Sequence, residues 1–318
     1  MSKTALGFLI SILGSVSFGA YILPRKLSRL SVLEYQFWLS LVIFPLCAIA
    51  AVLAGAGISL SPPMLGLAVL CGVLWTFGSL SYSAAVDNIG VTRSTPIKNM
   101  APVFAAIYGI LIFHEYTLNN PASLATALGG VACMAIAAYW IGGAGAPEHE
   151  KALAFNRARS EGERSSSFRR GILFSLSAAF FYGAYSLPLK FLFKHNVSAY
   201  SACAWLGAGV LITTLVILIF REHRVAPKFP GSREFLLAQS AGAIWTSGQV
   251  LGAVAMFYIP MSISWPISNL GTLVAVGWGV LLFKEVHIEA HVREFTLGLF
   301  VYVTGLALLA FAAPAGHV

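Results

Sequence analysis

Phe18-Gly19-Ala20-Tyr21-Ile22-Leu23-Pro24-Arg25-Lys26 returns later in the chain as Tyr182-Gly183-Ala184-Tyr185-Ser186-Leu187-Pro188-Leu189-Lys190. Three further stretches repeat in the same order. Leu74-Trp75-Thr76-Phe77-Gly78 matches Ile244-Trp245-Thr246-Ser247-Gly248, and Thr95-Pro96-Ile97-Lys98-Asn99 matches Trp265-Pro266-Ile267-Ser268-Asn269. Phe113-His114-Glu115 matches Phe283-Lys284-Glu285. A preserved order of this kind is the mark of a duplicated domain. In a membrane protein, duplication is the usual construction of a secondary transporter.

The composition places the chain in a bilayer. Of its 318 residues, 58% are hydrophobic and only 10% charged, where soluble domains run near 25% charged. Apolar runs at 39–53, 171–187 and 297–313 are, with their flanks, long enough to cross as helices of about 20 residues. The net charge of +8 does not point to nucleic acid, because the basic residues sit between apolar spans, where they set topology. The four cysteines, Cys47, Cys71, Cys133 and Cys203, lie inside apolar segments without CxxC spacing, and read as small packing residues. No metal or cofactor is expected. The first apolar run has the length of a signal peptide, but it lacks a cleavage site and belongs to the repeat, so it reads as a retained span.

The expected fold is an all-α membrane protein of ten transmembrane helices arranged as two inverted five-helix repeats. The spans are 4–24, 33–54, 63–87, 90–113, 121–142, 170–190, 199–220, 234–258, 261–283 and 292–313. Residues 1–142 form the first repeat, 143–169 a polar cytoplasmic linker, and 170–318 the second repeat. With both termini outside, the inward connections carry fifteen Lys and Arg residues and the outward side three. The positive-inside rule therefore predicts exterior or periplasmic termini, in the inner membrane of a bacterial or archaeal cell. Five spans per half is odd, so the second half enters upside down. That arrangement suits alternating access.

Depth singles out the candidate binding residues. At 1.5 Å per residue, Trp75 lies about 18 Å into the third span, and Trp245 lies at similar depth from the opposite face. Asn99 and Asn269 fall at the same level of a ~30 Å core. Aromatic faces suit the C–H faces of a sugar ring, and amides suit its hydroxyls. Gln249 and Trp265 complete the expected substrate set. Lys98 stands near the midplane opposite the neutral Ser268, where a lysine costs about 2.5–3.5 kcal/mol. It must meet a wet cavity or a partner, as a donor to substrate or as a coupling group. Pro96 and Pro266 free carbonyls at matching places. Tyr21, Tyr82 and Tyr185 read as gates. No carboxylate lies at the midplane, which leaves Glu34, Asp87 and Lys98 as the groups able to carry protons. Arg93 snorkels or pairs with Asp87, and Glu115 and Glu285 close helix ends.

Several motifs resemble the drug/metabolite transporter superfamily, and within it the glucose/ribose porter and rhamnose–proton symporter branch. They are Gly72-x-x-Trp75-x-x-Gly78 with Tyr82, Ile89-Gly90-Val91, Phe113-x-Glu115, and Phe257-Tyr258-Ile259-Pro260 with Leu282-Phe283-Lys284-Glu285. The stretch from Tyr21 to Lys26, followed by Glu34, is similar to the first two helices of the rhamnose symporter. The resemblance implies proton-linked sugar uptake. Lys98 departs from the branch's motifs, and brings a sugar acid into consideration beside neutral monosaccharides. The expected function is thus secondary transport of a small polar solute. A metabolite or drug exporter of the same superfamily is the alternative. An intramembrane transferase is remote, since no DDxxD or HxxxxD occurs to hold a diphosphate-bound metal or supply a base. A non-enzymatic carrier is expected, with lipid, a sugar or sugar acid and protons as its partners.

Overall fold

A computed structural model describes residues 2–113, 121–143, 168–255, 257–259, 267–286 and 288–312. Trp265, Pro266, Glu115 and nearly all of the 143–169 linker lie outside the described residues. All regular structure among the described residues is helical. The first half contains α1 (Lys3–Ala20), α2 (Leu23–Leu27), α3 (Val32–Leu53), α4 (Pro62–Lys98), α5 (Ala101–Phe113) and α6 (Pro121–Gly143). The second contains α7 (Phe168–Ala184), α8 (Ser186–Lys194), α9 (Ala199–Glu222), α10 (Ser232–Ala255), α11 (Gly271–Leu281) and α12 (Ile288–Ala312).

Seven segments are long and apolar enough to cross a membrane: Lys3–Leu27, Val32–Leu53, Pro62–Ala105, Pro121–Ile141, Phe168–Lys194, Ala199–Glu222 and His291–Leu309. Ile267–Leu281 is a shorter apolar helix. The local sequence explains the starts. Ser31 and Glu34 form a reciprocal capping box on α3, satisfying amides that the first turn leaves free. Pro62 opens α4, where a missing N–H is harmless. Ser198 accepts from the Ser201 amide at the head of α9.

One expected boundary is absent. The sequence reading ends one span at 87 and begins the next at 90, but the chain stays helical from Pro62 to Lys98 apart from Gly90. A straight helix of that length would measure ~56 Å, nearly twice a ~30 Å hydrocarbon core. Gly90, at φ 79° and ψ 172°, divides it. Only glycine adopts that conformation without strain, so one residue replaces the loop.

The pairing of helices mirrors the sequence repeat. α1 packs on α10 as α7 packs on α4, and α2 meets α10 as α8 meets α4. Likewise α3 contacts α10 where α9 contacts α4, and α1 contacts α11 where α7 contacts α5. α3 with α9, and α6 with α12, close the set. Glycines permit the approach. A methyl group on Gly19 would lie 2.5 Å from the Gly271 carbonyl, and one on Gly183 would lie 2.8 Å from the Ala101 carbonyl.

The surface is apolar and the interior rich in small hydroxyls. Leu9, Ile12 and Leu13 on α1, Ile212 and Phe220 on α9, and Phe300 on α12 are exposed. Thr76, Ser94, Thr213 and Thr214 are buried and return their hydroxyls to carbonyls four residues back. Apolar side chains outside, with these hydroxyls bonded to their own helices inside, is the arrangement a bilayer imposes.

Two of the four cysteines meet across a helix pair. Cys47 Sγ on α3 lies 3.0 Å from Cys203 Sγ on α9, and the four thiols are all free. A thiol oxidant is therefore expected to link Cys47 to Cys203 in the folded protein, read as one cross-linked peptide pair by mass spectrometry. Failure to form that link, with Cys47 and Cys203 both still alkylatable after oxidation, would contradict the α3–α9 contact.

Candidate functional site

Three backbone interruptions converge on one void. The α1–α2 break falls at Tyr21–Ile22 and the α7–α8 break at Tyr185, each followed by the proline of the repeated motif. The third is the α4–α5 junction. Pro102 has no N–H to give the Lys98 carbonyl, and Met100 bonds back only to Ile97, at 3.1 Å. Such loosened backbone is tolerated at membrane depth where it borders protein or water.

The void measures about 160 Å³. A single water needs on the order of 10–15 Å³ of such space, so this one admits a solute of several heavy atoms. Trp75, Lys98, Asn99, Trp245, Gln249 and Asn269 all line it, together with Tyr21, Tyr182, Tyr185 and Ser268. Six of the expected substrate residues thus share one cavity; the seventh, Trp265, lies outside the described residues. The lining continues through Leu189, Phe193 and Ala199 toward the α8–α9 connection.

The two tryptophans form one wall. Their ring centroids are 4.5 Å apart at 53°, in mutual contact, so they offer a joined aromatic surface and not a slot between two faces. Both are almost wholly buried. Tyr182 extends the wall, 6.2 Å from Trp75, and its hydroxyl meets that of Tyr21 at 3.4 Å.

Lys98 enters this wall as its one cation. Its Nζ stands 4.9 Å from the Tyr82 ring centroid and 5.3 Å from that of Tyr182, within cation–π range. It pairs with no carboxylate among the described residues. Tyr82 is not part of the cavity lining; it is buried, with its hydroxyl 2.7 Å from Thr95 Oγ1.

Asn99 serves two purposes. It faces the cavity, and its Nδ2 donates to Thr272 Oγ1 across the helix pair. Thr272 Oγ1 lies 2.6 Å from the Tyr302 hydroxyl and donates to the Asn269 carbonyl at 2.9 Å. The two asparagines are thereby joined through one network. The sequence reading missed Tyr182, Thr272 and Tyr302. Tyr182 was within reach, since it heads the repeated motif opposite Phe18, and both line the cavity.

Beyond the cavity lining, the charged residues at one end of the bundle pair with one another. Arg25 pairs with Asp87, so Asp87 is held by Arg25; Arg93 is buried. Lys26 Nζ lies 2.8 Å from Glu285 Oε1. Glu285 also accepts from the amides of Val91, at 3.0 Å, and Thr92, at 2.7 Å. It thus caps the helix that restarts after Gly90, from a different part of the chain. Glu34 pairs with Arg224 at 3.0 Å, and Glu234 accepts from Ser28 and the Arg29 amide. Of the three expected coupling residues, only Lys98 lines the cavity; Glu34 and Asp87 belong to this ion-paired end.

The arrangement offers aromatic surface, amides and one ammonium. Among the described residues, no group of three His, Cys, Asp or Glu side chains is placed to hold a metal.

Residues 39–312 match the sugar transport protein family. A protein named probable glucose uptake protein GlcU, from Bacillus cereus, is 23% identical over 251 residues, covering 78% of this chain and 80% of its own length. The protein of the same name from Priestia megaterium is 22% identical over 302 residues, 89% of this chain and 98% of its own. A solved crystal structure superposes with a TM-score of 0.59 at 14% identity, over 97% of this chain and 98% of that one. That likeness bears on the fold alone.

The Glu285 cap can be tested directly. Charge-assisted hydrogen bonds contribute about 1.5–3 kcal/mol each, and Glu285→Ala removes those to two amides and to Lys26. A clear drop in melting temperature in detergent is expected, smaller for Glu285→Gln, which keeps an acceptor. An unchanged melting temperature in both variants would rule out the cap.

Proposed function

The chain belongs to the sugar transport protein family, and from that premise we propose that it carries a monosaccharide across the membrane by alternating access. The observation that carries this reading is the shared cavity. Trp75 and Asn99 from one copy of the sequence repeat, and Trp245 and Asn269 from the other, line a single void. In this reading the aromatic wall takes the C–H face of the sugar, and Asn99, Gln249 and Asn269 exchange hydrogen bonds with its hydroxyls.

The transmembrane plan is ten spans in two inverted repeats, 1–142 and 170–318, joined by a cytoplasmic linker. Three facts support more crossings than the seven strongly apolar segments. Pro62–Ala105 runs 44 residues, ample for two crossings at about 20 residues each. α10 has the length of a span, but carries Gln239, Ser240, Thr246, Ser247 and Gln249, the polar load of a cavity-lining helix. Ile267–Leu281 supplies part of a further span. The twofold pattern of helix pairing supports the inverted arrangement.

Both termini lie outside in this plan, and the ion-paired end faces the cytoplasm, where fifteen Lys and Arg residues collect against three. The structure then corresponds to an outward-facing state. Its inner end is closed by Arg25–Asp87 and Lys26–Glu285, and its lining runs toward the outer α8–α9 connection. Tyr21, Tyr82 and Tyr185 would move as the gates. In this reading uptake is coupled to protons, with Lys98 the one charged side chain of the cavity lining.

Purified protein in proteoliposomes should take up labelled glucose or another monosaccharide saturably, faster with an inward proton gradient. Trp75→Ala and Asn99→Ala should each lower uptake about five- to a hundredfold, since removing a hydrogen bond or an aromatic face costs about 1–3 kcal/mol. Absence of saturable uptake for every sugar tried would end this reading, and indifference to the gradient would remove its proton coupling.

A further inference from the structure

The cavity holds one positive charge and nothing on its wall to balance it. Lys98 is the sole charged residue of the lining. Its described contacts are two tyrosine rings, which attract the ammonium without accepting its N–H groups in the strong manner of an oxygen. The nearest carboxylates are occupied. Asp87 is held by Arg25, and Glu285 by Lys26 and two backbone amides. No Asp or Glu in the sequence falls in the middle of an expected span, and no carboxylate among the described residues pairs with Lys98.

The repeat shows that the fold does not demand this charge. Trp75 pairs with Trp245 and Asn99 with Asn269, but Lys98 pairs with Ser268, which lines the same void. The polar features shared by both halves suit hydroxyls from either side. The charge is confined to one side, so the solute it recognises has one ionic end. Any solute that fills the void displaces the water solvating the ammonium, and an uncompensated buried charge is costly. A neutral sugar returns no countercharge. A sugar phosphate brings two negative charges to one ammonium, and the cavity lining contains no Arg, the residue best suited to phosphate.

We propose that the carried solute is a monoanionic sugar acid, an aldonate or uronate, whose carboxylate accepts from Lys98 Nζ while its hydroxyls meet Asn99, Gln249 and Asn269. This rests on reading the cavity as the site of a transported sugar.

Proteoliposome uptake of D-glucose should be measured in competition with D-gluconate, D-glucuronate and glucose 6-phosphate, at equal ionic strength. A charge-assisted bond predicts half-saturation for a sugar acid at a concentration ten- to a hundredfold below that for glucose. Lys98→Gln should shrink that ratio at least tenfold, and Lys98→Arg should preserve most of it. Saturable glucose uptake that neither sugar acid inhibits would overturn the inference and leave the monosaccharide reading standing. Stronger competition by glucose 6-phosphate than by the monoanions would overturn it as well. No saturable uptake of any of the four would sink both. Should Lys98→Gln fail to fold, the competition on the unmodified protein decides alone.

Discussion

The backbone of a chain in hydrocarbon must satisfy its own polar groups, and the rest of this structure depends on how that constraint is met where helices break. Water is absent at depth, so a free amide or carbonyl costs several kcal/mol. The break at Gly90 would expose the amides of a restarting helix. Glu285 reaches in from the segment after α11 and takes two of them. The breaks at Tyr21–Ile22, Tyr185 and Lys98–Ala101 have no such cap, and all three border the cavity. These breaks thus fall at places where a carboxylate or a void can serve them. The position of the cavity follows from the positions of the breaks.

Duplication gives the site its symmetry, and substitution gives it direction. Each half supplies a tryptophan and an asparagine through equivalent helices, held close by glycines at equivalent contacts. Gly78 receives the Tyr182 ring where Gly248 receives the Phe18 ring. The halves then diverge where chemistry is finest. Phe18 has no hydroxyl where Tyr182 has one, and Ser268 is neutral where Lys98 is charged. A symmetrical scaffold with an asymmetrical lining can hold a solute in one orientation while its two halves keep similar packing energies.

Much of this was legible in the sequence, and what was not has physical reasons. Composition identified helices in lipid. The repeat brought Trp75, Asn99, Trp245 and Asn269 to one depth, and the structure brings them to one cavity. Helix depth alone could not show that the two tryptophans touch each other, because that depends on how far α4 and α10 stand apart. Nor could it reveal Thr272 and Tyr302, which meet Asn99 only through packing between distant helices. Gly90 was quoted in a motif and read as the first residue of a new span, since no local signal separates a one-residue break from a short turn. Glu285 was read as a helix end. Its role at Val91 and Thr92 joins residues remote in sequence, which propensity and periodicity do not register. Glu34 and Asp87 were chosen for being the least peripheral carboxylates, but an acid near a helix end more readily finds a basic partner than a cavity.

The ion pairs at the closed end set the energetics of the proposed cycle. Opening that end separates Lys26 from Glu285, and Arg25 from Asp87. Arg25 is 2% exposed and Asp87 44% exposed on their side chains, so separating them strands a buried guanidinium, which is costly. Glu285 is 7% exposed and also holds two amides, so both releases contribute to the barrier. A conformational equilibrium biased by a few kcal/mol can be shifted by a solute whose contacts differ between the two states by a similar amount. The aromatic wall and the amide network supply contacts of that size. They also connect to the closed end, because the peptide units that Glu285 caps begin the same helical stretch that ends in Lys98 and Asn99. In the proposed cycle a solute drawing on Lys98 and Asn99 would thus act on the segment whose other terminus is fixed by Glu285, so that the site and the ion-paired end share one short helix.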